Sequence, residues 1–291
     1  MAQLVFAFSY MLFPWKIWGW KIVMFLFDLW VLFLIYSLLK EYKKPLIFLA
    51  IYWLNPIVVH EFFSSAHMDI LTLPFSLLSL KYFLRKRYLF STIFLAVAAG
   101  FKIWPAAFLP VILWNLWKNK KEFTKNIFVF LSISLVSFIP VIITKIDKSL
   151  GFVIYAGRWY NNEAFFRSLH WLVKQVKLLD IADIHCTSCV ARWILISTFL
   201  VIIIFIIKKK TQNHESYFEK FLLIISIMFL ISPTQFPWYC IIHGWCLFLF
   251  SDQKYRYFCI LRFYPYIYSI TSGNILRLSS MFLLSYYFCM K

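Results

Sequence analysis

Glu61, His67 and Asp69 fall within nine positions of one another, inside the stretch NPIVVHEFFSSAHMD at 55–69. This stretch is polar, yet strongly apolar sequence flanks it on both sides. Ionisable groups at membrane depth are costly to bury, so they tend to face a cavity and serve a function. One loop can aim all three side chains at a common point. A carboxylate there can act as general base when partial burial raises its pKa toward neutrality. His60, next to Glu61, reads as a neighbour rather than a ligand. The pattern E-x5-H-x-D matches no established metal motif, so no cofactor is expected; a divalent metal is conceivable but unsupported by spacing. Elsewhere, Lys102 and Arg158 are cations able to hold a phosphate, one as a point charge and the other as a bidentate fork. Trp159, Tyr160, Trp238 and Tyr239 can stack on a sugar face or simply sit at a membrane interface.

The elements that position these residues follow from composition. Hydrophobic residues make up 63% of the 291 positions and charged residues 14%. A soluble domain with that balance has too little polar surface to cover itself. The expected class is therefore an all-α, polytopic membrane protein. The net charge of +18 is distributed as short clusters between apolar runs: Lys40, Lys43 and Lys44; Arg85, Lys86 and Arg87; Lys118, Lys120, Lys121 and Lys125; Lys208, Lys209 and Lys210. That spacing fits the positive-inside rule and not a nucleic-acid face, where a single basic surface is expected. Of six cysteines, Cys186 and Cys189 form a CxxC beside His185, with no second pair to complete a zinc site. A thiol pair or local disulfide is expected there.

Apolar run lengths set the order of elements. Residues 3–13 are too short to span and stop at Pro14, which suits an interfacial or re-entrant helix. Spans are expected at 18–39, with Asp28 as a mid-span carboxylate, then at 45–59 and 70–84. A short hairpin at 88–100 and 103–117 brackets Lys102. Further spans are expected at 126–146, with Pro140 as a kink, and at 192–207, 218–231, 238–250, 257–270 and 275–290. The count is about ten or eleven transmembrane helices in one transmembrane domain over 1–291. An extracytoplasmic loop region is expected at about 147–191. With every basic cluster on the cytoplasmic side, the 55–69 stretch, Lys102, the long loop and SPTQFPWY share the other.

In their order, NPIVVHEFFSSAHMDILTLPFSLLSL, LAVAAGFKIWPAAFLPVILW and SPTQFPWYCIIHGWCLFL resemble the multispanning glycosyltransferases of the GT-C superfamily, of the polyprenyl-phosphate-mannose-dependent type. Asn55, Pro56, Glu61, His67, Asp69, Lys102, Pro105, Pro237, Trp238 and Tyr239 occupy that group's motif positions, and the resemblance covers about residues 2–250. It implies transfer of a sugar, mannose by the family type, from a polyprenyl-phosphate-sugar donor to a glycan or glycolipid acceptor. The implied setting is the extracytoplasmic face of the plasma membrane, with membrane lipids as the other partners and no nucleic acid. Glu61, Asp69 and His67 would be the catalytic-site residues, and Asn55, Lys102, Arg158, Trp159, Trp238 and Tyr239 the substrate-binding ones. In this family the acid proposed as base lies in a loop upstream of the segment matching 2–13, so an N-terminal truncation relative to the family is expected. Two alternatives stay open: a transporter or flippase of a lipid-linked substrate, and an inactive truncated remnant.

Overall fold

A computed structural model describes residues 1–55, 58–143, 164–175, 186–211 and 213–234. Among these residues every extended element is helical, and three helices are long and apolar enough to cross a membrane. The chain is an all-α membrane protein. The expected crossings at 238–250, 257–270 and 275–290 lie outside the described residues, so the described part does not reach ten or eleven.

Helix α1 (Ala2–Leu12) ends just before Pro14, as its short apolar run requires. Helix α2 (Ile17–Glu41) then runs for 25 residues. Its inward stripe, Trp20, Val23, Met24, Val31, Leu34, Ile35 and Leu38, recurs at helical spacing and is buried. The opposite face, with Trp18, Phe25, Leu26, Leu29 and Phe33, is exposed and equally apolar. A helix apolar all round belongs in lipid or a large core.

The next element departs from expectation. Instead of a continuous span at 45–59, α3 (Phe48–Trp53) is only 6 residues long, and a π-helical turn (Val59–Ser64) follows. Asn55 precedes Pro56, and the residue before a proline is pushed out of the helical region, which interrupts the run. A 3-10 turn (Met68–Thr72) leads into α4 (Leu73–Leu84), which pairs with α5 (Tyr88–Phe101). A second 3-10 turn (Trp104–Phe108) and α6 (Leu109–Leu116) complete the short hairpin around Lys102.

Helix α7 (Lys120–Ile143) starts earlier than its apolar run because Asn119 Oδ1 accepts from the Glu122 amide at 3.2 Å. Pro140 lies inside its last turns. Helices α8 (Ala164–Gln175) and α9 (Thr187–Lys208) pack on each other. Cys186 and Cys189 are joined as a disulfide at the start of α9. Helix α10 (His214–Ile231) likewise gains a polar first turn, capped by Asn213 Oδ1 on the Ser216 amide at 3.0 Å.

Two polar assemblies occupy the two ends of α2. At its C-terminal end, Arg85 makes a two-pronged pair with Glu41 at 3.0 and 2.8 Å, and Lys44 meets Glu215 at 2.6 Å. Tyr217 donates to Asn115 at 2.7 Å in the same region. The turns carrying four of the basic clusters thus gather at one end. At the N-terminal end, Trp20 touches the 55–69 stretch. From Trp20 to Glu41 the helix rises about 32 Å at ~1.5 Å per residue, close to the ~30 Å of a hydrocarbon core.

Between the ends, α4, α5 and α7 approach through small and hydroxylated residues. Ser79 and Ser91 meet at 3.2 Å, and Thr92 donates to Asn126 at 2.7 Å. Small residues at helix contacts let backbones come close in a medium where burial alone gives no drive. Helices α2 and α4 end in the same way, with Lys43 and Lys86 at φ 53° and 59°. The following amides reach back to Leu39 O (2.8 Å) and Tyr82 O (2.9 Å), closing Schellman-type ends without glycine.

Candidate active site

Residues 58–69 of the stretch form a π-helical turn and the start of a 3-10 turn, joined through Ala66. Asn55 is buried at the end of α3, where its carbonyl accepts from the Val59 amide at 3.0 Å. The π-helical turn carries His60 and Glu61 side by side, with His60 Nδ1 and Glu61 Oε1 3.1 Å apart. His60 is thus in direct contact with the Glu61 carboxylate. The His67 amide then donates to Glu61 O at 2.9 Å, which folds the far end of the stretch back onto the π turn.

Between them Ala66 sits at φ 53°, a left-handed conformation that costs a residue with a Cβ roughly 1 kcal/mol or more. Trp20 of α2 holds it there, its indole Nε1 donating to Ala66 O at 2.9 Å. Trp20 in turn stacks on Phe6 of α1, with ring centroids 3.9 Å apart. The sequence alone assigns Trp20 no role. No spacing signal links positions 20 and 66, so only the tertiary fold could reveal the clamp.

The 3-10 turn buries Asp69 completely, while Thr72 Oγ1 donates to the Asp69 carbonyl at 2.6 Å. Lys102 leaves the end of α5 in an extended conformation, and its ammonium forms an ion pair with Asp69 Oδ1. His67 Nδ1 lies 3.8 Å from the other carboxylate oxygen, Oδ2. One buried carboxylate therefore stands between a lysine and a histidine. The side chains of those two are 21% and 32% exposed, against 0% for Asp69. Both the Lys102 ammonium and His67 Nδ1 face the buried carboxylate.

The structure thus brings together His67, Asp69 and Lys102, and links Glu61 to them through the backbone. Glu61 itself is nearly covered, with an 11% exposed side chain. Arg158, Trp159, Trp238 and Tyr239 lie outside the described residues. Among the described residues no group of three or more His, Cys, Asp or Glu is arranged to hold a metal ion. Asp28, the mid-span carboxylate of α2, accepts from Tyr52 Oη at 2.7 Å and Trp53 Nε1 at 3.1 Å. It ties α2 to α3.

Residues 2–118 match the family model of alpha-(1->6)-mannopyranosyltransferase, N-terminal domain. No curated protein and no solved structure matches the chain. The matched segment holds Asn55, Glu61, His67, Asp69 and Lys102, the whole described site, and ends before Arg158. Together with the long apolar helices, the match supports a membrane-bound glycosyltransferase of the mannosyltransferase kind.

Proposed function

We propose that the chain is a multi-pass mannosyltransferase of the GT-C type, moving mannose from a polyprenyl-phosphate-linked donor to a glycan or glycolipid acceptor at the extracytoplasmic face of the plasma membrane. The observation that carries this reading is the Lys102–Asp69 pair within a segment matching a mannosyltransferase family model. In the proposed reaction an acceptor hydroxyl attacks the anomeric carbon, the bond from that carbon to the phosphate oxygen breaks, and the polyprenyl phosphate leaves with the bonding electrons. A fixed cation at that phosphate stabilises the charge as it develops. In this reading Lys102 takes that role, with Asp69 holding the ammonium and Arg158 as a second cation.

In the same reading Glu61 and His67 orient the sugar or take the acceptor proton, and Asn55, Trp159, Trp238 and Tyr239 are the substrate-binding residues that the family resemblance implies. Sidedness rests on two features. The basic turns gather at one end of α2, and the Cys186–Cys189 disulfide begins α9 at the end away from Lys208. Disulfides persist in oxidising compartments, whereas clustered lysines and arginines stay cytoplasmic. The transporter alternative needs polar groups free along the spans, whereas the carboxylate of Asp28 is engaged by two donors.

Mannosyl transfer from polyprenyl-phosphate-mannose in membranes containing the chain, compared with Lys102→Ala, Asp69→Asn and Glu61→Gln at equal protein level, tests the reading. The expected result is a loss of ~100-fold or more for the lysine variant, the scale of removing one group that stabilises developing charge. Unchanged transfer in all three variants would remove the site.

A further inference from the structure

The Cys186–Cys189 disulfide joins two residues that are 3 apart in sequence, at the start of α9. A disulfide stabilises a fold chiefly by restricting the unfolded chain, and the restriction shrinks with the loop it closes. Here that loop is a single helical turn. The turn is also closed without the sulfurs, since the Cys186 carbonyl accepts from the Cys189 and Val190 amides at 3.0 and 3.2 Å.

Packing holds the same turn from the side. Thr187, between the two cysteines, lies 3.0 Å from His170 Nε2 of α8, and Ala191 is buried with Phe166 and Val173. Yet both cysteines are exposed. A bond that secures nothing otherwise loose, and that a thiol in solution reaches directly, is suited to exchange more than to stapling.

The two sulfurs differ as leaving groups. Cys186 is the N-cap of α9, and in the bonded state its side chain accepts no capping bond from the first-turn amides. Released as a thiolate, it would sit against those amides and the positive end of the helix, which favour the anion. The Ser188 hydroxyl is already 3.7 Å from that sulfur, and since a disulfide sulfur carries no proton, Ser188 is the donor.

We propose that Cys186–Cys189 is a thiol-exchange site for a protein dithiol of the C-x-x-C type on the side of the membrane where α9 begins. One partner thiolate attacks Cys189 Sγ; a new S–S bond forms, and the old one breaks with its electron pair leaving on Cys186. The second partner thiol loses its proton and attacks the partner's own sulfur in the mixed disulfide, releasing the Cys189 thiolate. The partner is oxidised by two electrons, this pair is reduced, and its two thiolates take up the protons that the partner gave up. The site is independent of the sugar-transfer reading.

The full chain in phosphatidylcholine nanodiscs, mixed with a reduced thioredoxin-type protein whose second active-site cysteine is serine, tests the proposal by trapping the first half of the exchange. A non-reducing gel and peptide mass mapping read the adduct. It is expected on Cys189, and absent from the chain carrying Cys186→Ser with Cys189→Ser. Ser188→Ala should slow its formation about threefold, because the leaving thiolate loses one donor. The doubly substituted chain should melt within about 2 °C of the native one, since the bond secures little. No adduct on the native chain, or an adduct on Cys186 instead, would overturn the proposal. A larger fall in melting temperature would make the bond a structural staple and overturn it as well.

Discussion

The Lys102 ammonium is in ion-pair contact with the fully buried carboxylate of Asp69, joining the end of α5 to the 3-10 turn that precedes α4. Removing one partner of a buried pair leaves an uncompensated charge, which costs more than removing both. Lys102→Ala should therefore destabilise the solubilised chain by about 2–4 kcal/mol, discounted from the fully buried case because the lysine is partly exposed. Lys102→Ala with Asp69→Asn should recover part of that loss. A double-mutant cycle on thermal unfolding reads the coupling, and strictly additive losses would show that the two side chains do not sense each other.

Ala66 and Trp20 make a second coupled pair with opposite expected signs. Ala66→Gly relieves a left-handed backbone and should raise the melting temperature, by roughly 1 kcal/mol of stability. Trp20→Phe keeps the stack on Phe6 and loses only the bond to Ala66 O, so it should lower stability by about 1 kcal/mol. If both changes move the melting temperature the same way, the clamp is misread.

Two glycines differ in what surrounds them. A Cβ at Gly19 would lie 2.4 Å from Phe13 Cβ, which cannot rotate away, so α1 and α2 would have to separate. At Gly100 the nearest atom is Ser137 Oγ at 2.6 Å, a hydroxyl that can turn aside. Gly19→Ala should cost about 1–3 kcal/mol and Gly100→Ala clearly less. Thermal melts of the two variants decide it, and the reverse order would contradict the packing at the α1–α2 junction.

Cys186 and Cys189 report the sidedness of α9. In intact cells a membrane-impermeant maleimide should label Cys186 only after reduction, while a cysteine placed at Lys209 should stay unlabelled until the membrane is opened. Labelling of position 209 from outside would invert the proposed topology.

Much of the helical layout is legible in the sequence because apolar run length and charged turns set it. Helices α1, α2, α4 and α5 match their expected bounds within a few residues. The misses are local in origin. Helices α7 and α10 begin earlier than expected because Asn119 and Asn213 cap polar first turns that a hydropathy reading leaves out. The span at 45–59 breaks because Asn55–Pro56 interrupts it and a π turn follows, although its apolar content alone would carry it across.

The site was partly legible too. Costly charges in apolar sequence marked Glu61, His67, Asp69 and Lys102. Nothing in the spacing showed that Asp69 would be wholly buried behind Lys102, or that Trp20 would hold the intervening turn. Those relations arise only once α2, α4 and α5 pack together.

The most direct test of the central claim is donor choice. Membranes containing the chain are supplied with polyprenyl-phosphate-mannose or with a nucleotide-linked mannose, and transfer to glycolipid is measured with native Lys102 and with Lys102→Ala. The account predicts transfer from the lipid-linked donor alone, lost in the variant while the protein remains in the membrane. Transfer from the nucleotide sugar instead, or undiminished transfer by Lys102→Ala, would contradict it.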